Sequence, residues 1–152
     1  FQPNTTTLIS TESFGFPAYL WDYTNGDLVG EINEYYTNFN AITFSPTNQF
    51  AASSHLEYIN YGSRIPFMML RDGASLQQIG PNLEDYGSPI FNHSGNFLAT
   101  TRRDRLGAGQ IFIWNLDVGF WIEQLCGTVN RNLTEQEWDR YFTDRPYQQT
   151  CP

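Results

Sequence analysis

The sequence predicts an all-β chain of repeated units closed by a short helical tail. Three observations carry this. A phenylalanine followed by a turn recurs as Phe1-Gln2-Pro3-Asn4, Phe44-Ser45-Pro46-Thr47-Asn48 and Phe91-Asn92-His93-Ser94-Gly95, the phenylalanines 43 and 47 residues apart. Each turn leads into a short apolar run: Leu8-Ile9-Ser10, Phe50-Ala51-Ala52-Ser53 and Phe97-Leu98-Ala99-Thr100. After Asn115 the repeat stops and the apolar residues fall at helical spacing.

The turns have a physical logic. Pro46 fixes φ and has no N–H to give a ladder, and Asn48 tolerates the left-handed region. A repeat of roughly 40–45 residues with four short strands is a repeat-protein spacing. Composition agrees: of 152 residues 40% are apolar, 16% aromatic and 16% charged, too aromatic and too weakly charged for a disordered chain. Twelve Phe and nine Tyr suit pleated, half-buried surfaces. The net charge is −8 and all eight basic residues are arginine. An acidic chain repels phosphate backbones, so nucleic acid is not an expected partner. No apolar run reaches the roughly 18–20 residues of a membrane span, and no signal peptide is visible. The expectation is no membrane association and a cytoplasmic location. Phe1 reads as the end of a strand, so the chain is expected to be a piece of something longer.

The first unit has strands over Thr7–Ser10, Ala18–Asp22 and Leu28–Ile32, with Asn25-Gly26 turning the last pair. The second has Ile42–Phe44, Phe50–Ser53, Pro66–Leu70 and Leu76–Ile79, the last two joined at Asp72-Gly73, with Met69 in the place of Trp21 and a long loop over His55–Arg64. The third has Pro89–Phe91, Phe97–Thr101 and Gln110–Asn115, with a basic loop from Arg102 to Gly109. Residues 118–126 read as a helix. Thr134-Glu135-Gln136-Glu137 is a capping box that opens a second one, with Trp138, Tyr141 and Phe142 on one face. The division predicted is 1–117 for the repeat units and 118–152 for the tail.

These residues resemble the WD40 repeat of β-propellers: three Phe-led turns, with Trp21-Asp22 and Trp114-Asn115 on third strands. The tail (Cys126, Arg131-Asn132-Leu133-Thr134, Glu137-Trp138, Tyr141, Pro146-Tyr147, Thr150-Cys151-Pro152) is similar to the C-terminal end of large bacterial WD40 proteins, and is the more specific part. The resemblance covers almost the whole chain and implies three blades of a partial propeller. Such propellers are attached to signalling or effector domains: NACHT/STAND-type ATPases, kinases or caspase-like proteases. The Gly-His dipeptide expected before each unit is missing, so the Asp-His-Ser-Trp hydrogen-bond network of regular blades is not expected to form.

No residue set reads as catalytic, cofactor-binding or metal-ligating. His93 reads as a turn residue and His55 as a strand-end residue beside Glu57. Gly107-Ala108-Gly109 lacks the helix a phosphate cradle needs. Cys126 and Cys151 are free buried thiols on one reading, and a neighbouring or disulfide-bonded pair on another. Asn4, Asn92 and Asn132 head formal glycosylation sequons, to which a bacterial cytosolic context gives no meaning. The binding reading has more behind it. In a propeller one face would gather Phe14 and Phe16, Tyr58, Tyr61 and Arg64, Arg102, Arg103 and Arg105, with Tyr86 from a connection between blades. Tyrosine and arginine are enriched at binding hot spots.

The expected function is a non-catalytic recognition, scaffolding or sensor module for a protein partner and an effector domain. Its remaining blades come from elsewhere in the chain or from another one. The alternatives are an enzymatic propeller with a site at the central channel, or a parent whose catalytic part lies outside this chain. The tail is expected to act as a clasp that buries Trp121, Leu125, Trp138, Tyr141 and Phe142.

Overall fold

The structure is a computed structural model describing residues 1–11, 17–33, 37–59, 63–103 and 108–151. The chain divides into two compact units, residues 1–114 and 115–152. The first carries three antiparallel sheets. β1 (Thr7–Ser10), β2 (Ala18–Asp22) and β3 (Asp27–Ile32) make one, and β4 (Thr37–Phe44), β5 (Phe50–Ile59), β6 (Ser63–Asp72) and β7 (Gln78–Glu84) the next. β8 (Tyr86–Phe91), β9 (Phe97–Arg103) and β10 (Gly109–Asn115) make the third. In every sheet, neighbours in sequence are neighbours in the ladder.

The repeated turn recurs in the backbone. The N–H of Gln2 donates to the Thr7 carbonyl at 2.9 Å, that of Ser45 to Phe50 at 2.8 Å and that of Asn92 to Phe97 at 3.0 Å. In the second and third turns a side chain adds a further bond: Ser45 Oγ accepts from the Phe50 N–H, and Asn92 Oδ1 from the Phe97 N–H, both at 3.0 Å. The first turn spends its side chain differently. Gln2, buried, donates from Nε2 to the Gly73 carbonyl of the second sheet at 2.7 Å. Gly73 must be glycine, because a Cβ there would stand 2.1 Å from the Asn48 carbonyl oxygen.

A second regularity sits one strand further on. Ser10, Ser53 and Thr100 each follow the first residue of their turn motif (Gln2, Ser45, Asn92) by eight positions. Trp21 Nε1 donates to Ser10 Oγ at 2.9 Å, and Trp114 Nε1 to Thr100 Oγ1 at 2.9 Å. In the second sheet the donor to Ser53 Oγ is Arg71 Nε, at 2.8 Å. Register explains why. Trp21 pairs with Leu8 and Arg71 with Ala51, whereas Met69 pairs with Ser53 as Tyr19 pairs with Ser10. Arg71, and not Met69, therefore takes the tryptophan's place. Of the four-residue network expected not to form, tryptophan-to-hydroxyl bonds alone are seen among the described residues, in the first and third sheets.

Phe39, Phe67, Met68, Ala51, Ala52 and Leu98 form much of the core of this unit, and β8 packs against β4, β5 and β6. Each large apolar side chain so buried is worth roughly 1.5–3 kcal/mol. The second sheet's long loop shrinks to a hairpin: β5 and β6 run to Ile59 and from Ser63. His55, expected at the strand's end, is 1% exposed inside β5. β7 begins at Gln78, two residues later than the apolar pattern suggested.

The tail unit holds α1 (Val118–Val129) and α2 (Glu135–Tyr141). Asp117 caps α1 by accepting from the Phe120 N–H, and Asn130 ends it in the left-handed region. The capping box at Thr134 and Glu137 opens α2 with both of its bonds. Of the five residues expected to be buried, only Trp138 is; Leu125 is 63% and Tyr141 68% exposed. Trp138 packs against Phe142 at 4.5 Å and Tyr147 at 5.8 Å, and its Nε1 donates to the Arg145 carbonyl.

Candidate functional site

Of the residues expected at a binding face, Tyr86 and Arg102 have described side chains, and the structure brings these two together. Phe14, Phe16, Tyr61 and Arg105 lie outside the described residues, as do the side chains of Tyr58, Arg64 and Arg103. Tyr58 and Arg64 pair across the β5–β6 ladder, and Arg102 and Arg103 close β9, so the backbone of all four is strand and not loop.

The Arg102 guanidinium lies over the Tyr86 ring, 5.4 Å from its centroid, and reaches Asp85 Oδ2 at 3.4 Å. Tyr86 also meets Phe112 at 5.1 Å and Trp114 at 5.4 Å, both edge to face. The ladder pairs Tyr86 with Arg102 across β8 and β9. Asp85 adopts φ 65 in the tight link between β7 and β8, its N–H donating to the Pro66 carbonyl. The result is an aromatic ring fixed by two others, carrying a half-exposed cation next to an exposed carboxylate. Such a patch can accept a partner's carboxylate on Arg102 and an apolar or cationic side chain near the ring. It holds no arrangement for bond-making. Among the described residues no three His, Cys, Asp or Glu stand together as a metal site.

The other titratable cluster is interior. His55 Nε2 lies 2.7 Å from Ser53 Oγ, its ring stacked on Phe67 at 4.9 Å and edge-on to Phe39 at 4.7 Å. Desolvation, helped by the Arg71 charge, pushes its pKa down to about 3. Ser53 Oγ accepts from Arg71 Nε, which leaves its own proton for the imidazole. Arg71 also donates to the Leu76 carbonyl and sits over Phe39. This reads as a structural set: an imidazole buried between Phe39 and Phe67, with its pKa pushed this low, is a weak base.

In the tail unit Cys126 and Cys151 are joined as a disulfide, Cα atoms 5.5 Å apart. Asn132 Oδ1 accepts from the Cys151 N–H at 2.6 Å, and Arg131 grips Glu137 with two bonds of 2.7 Å. Those bonds, with the Thr134 N–H, hold the Glu137 carboxyl at a pKa of about 2. An apolar groove of about 400 Å³, walled by Ile122, Leu125, Val129 and Leu133, runs beside the disulfide. Among the described residues no helix is long and apolar enough to cross a membrane.

The arginine at the tryptophan position is invisible to motif reading, because it needs the strand register. Asp85 is also missed; its signal is a backbone irregularity, a positive φ in the link between β7 and β8, which leaves no trace in residue type.

No family model and no curated protein matches the sequence. Solved structures do match by fold, 102 chains among them. One is hydrazine synthase from Kuenenia stuttgartiensis, with a TM-score of 0.56 and 14% identity over 78% of this chain and 38% of that one. The chain thus spans less than two fifths of that protein's length, and a likeness at this identity concerns the fold alone.

Proposed function

We propose that this chain is part of a WD40-type β-propeller and serves as a non-catalytic recognition or scaffolding module for a protein partner. The observation that carries the reading is the threefold unit of turn, following hydroxyl and an N–H donor from the next strand, repeated at the spacing of propeller blades. Propellers close with roughly 4–8 blades, so further blades complete the ring. The Tyr86–Arg102–Asp85 patch supplies hot-spot chemistry on a rigid strand pair. In a larger bacterial signalling protein this module would sense or dock a partner for an attached ATPase, kinase or protease domain. The disulfide bears on location: such bonds persist in oxidising compartments, which counts against the cytoplasmic expectation.

The test is binding. The full-length protein is used to isolate its partner, and the affinity is then measured for Tyr86→Ala and Arg102→Ala. Each should lose about 1–2 kcal/mol of affinity; the melting temperature should hold for Arg102→Ala and fall for Tyr86→Ala, which also loses its ring contacts to Phe112 and Trp114. Unchanged affinity in both variants removes the patch from the interface. A partner-free preparation that turns over a small substrate would favour the enzymatic alternative.

A further inference from the structure

The first strands of the second and third sheets carry the same irregularity. The ladder from β4 to β5 steps from Phe39–His55 to Ala41–Ser54, so Asn40 is an extra residue with no partner opposite. The ladder from β8 to β9 steps from Gly87–Thr101 to Ile90–Ala99, leaving one residue too many at Ser88 and Pro89. Ser88 takes φ 49, the left-handed region that a serine enters at a cost. Bulges re-aim side chains and gather beside binding sites.

Both bulges open onto one cleft between these two sheets, of about 420 Å³. That lies within the roughly 300–1,000 Å³ of small-molecule sites. Asn40, Ser54, Leu56, Pro66, Asp85 and Ser88 wall it. The Ser54 side chain is 4% exposed, and its hydroxyl has no hydrogen-bond partner. A buried hydroxyl left unpaired is costly, and native structures supply a partner in nearly every case.

Electrostatics narrows the class of occupant. Asp85 at the rim faces Arg102, so the pair contributes no net charge. His55, the next residue after Ser54, is neutral at any ordinary pH because of its burial. A charged ligand would lose its hydration and gain no unpaired counter-charge in return. Hydroxyls, a carboxamide and the apolar edges of Leu56 and Pro66 remain.

We propose that this cleft binds an uncharged, hydroxyl-bearing small molecule up to a monosaccharide in size, fixed by the Ser54 hydroxyl and the Asn40 carboxamide. The cleft shares Asp85 with the docking patch but is carried by Ser54 and Asn40, so its failure leaves the docking reading standing.

The test is a heteronuclear NMR titration of the full chain with glycerol, D-glucose and myo-inositol, with D-glucose 6-phosphate as the charged control. At least one neutral probe should shift the amides of Ser54, Gly87, Ser88 and Thr101 saturably. The charged control should bind at least tenfold more weakly. Ser54→Ala, which removes the hydroxyl oxygen and adds no bulk, should weaken the neutral probe tenfold or more. Asn40→Ala, at an exposed bulge position that the fold does not need, should do so several-fold. No saturable shift with any neutral probe overturns the proposal and leaves ordered water as the partner of Ser54. Equal response to the charged sugar, or a response that both variants leave unchanged, overturns it as well.

Discussion

The sheet unit and the tail unit solve the problem of staying folded in opposite ways. Among its described residues the unit of residues 1–114 buries ten apolar side chains outright and repeats one hydrogen-bonded turn three times, so backbone and core do most of the holding. Among its described residues the unit of residues 115–152 buries only Leu116 and Trp138, and α1 has no buried residue at all. Thirty-eight residues cannot enclose much of a core, and chains below roughly 40 residues usually need a disulfide, a metal or a partner. The tail has a disulfide, a bidentate ion pair and a side chain, Asn132, that ties its end to its middle. Where area is scarce, specific bonds take over.

The comparison is sharpened most by Arg71. Removing its side chain in Arg71→Ala leaves the Leu76 carbonyl without its donor and Ser53 Oγ with only its His55 bond, and should cost about 1–3 kcal/mol for each of these two losses. Arg71→Trp offers an indole N–H at the position Trp21 holds in the first sheet, and should cost clearly less. Chemical denaturation of the two variants decides it; if tryptophan is no better than alanine, the three hydroxyl sites are not equivalent.

Next comes the disulfide. Cys126→Ser with Cys151→Ser reopens a 25-residue separation and should cost the tail about 2–4 kcal/mol. The readout is hydrogen exchange at Trp138 and its helix. Protection as strong in the double variant as in the wild type would show that the tail's other bonds suffice, and the contrast with the sheet unit would break.

Smallest is the effect of mild acid on the sheet unit. His55 has a folded pKa of about 3 against an ordinary 6.5, so the unfolded chain binds the proton more readily. Stability is therefore full above pH 6.5 and falls as pH drops towards 3, by roughly 1.4 kcal/mol per unit once well below 6.5. His55→Phe, placed between Phe39 and Phe67, should flatten that slope. An unchanged slope in denaturation midpoints from pH 7 to 5 would mean the imidazole is not buried neutral.

Much of this was legible in the residues. The three turns read correctly because proline, asparagine and glycine announce their own dihedrals, and the capping box at Thr134 read correctly because both partners lie in one turn of chain. The strands from Thr7 to Ser10 and Ala18 to Asp22 have the bounds their patterns suggested. What failed needed information from across a ladder. Met69 resembles a core residue at a tryptophan-like position, and only pairing with Ser53 moves it one step aside. His55 looked like the start of a loop because its strand carries Ser53, Ser54 and Glu57, which are polar by type though the serines are buried. The cleft had no signature, since a bulge is a surplus of one residue and not a kind of residue.

The outer strand of the third sheet has a practical bearing on handling the protein. β10 reads Gly-Gln-Ile-Phe-Ile-Trp-Asn, without a charge or a proline, and Ile111 and Ile113 are 73% and 63% exposed. It is the outermost of that sheet's described strands, so one side of its backbone is unpaired there. Natural sheet edges are guarded by lysine, proline or a covering segment, and short uncharged β-prone stretches without them stack on copies of themselves. Preparations of this segment alone therefore carry a built-in route to insoluble fibres, one that is governed by concentration and not by misfolding.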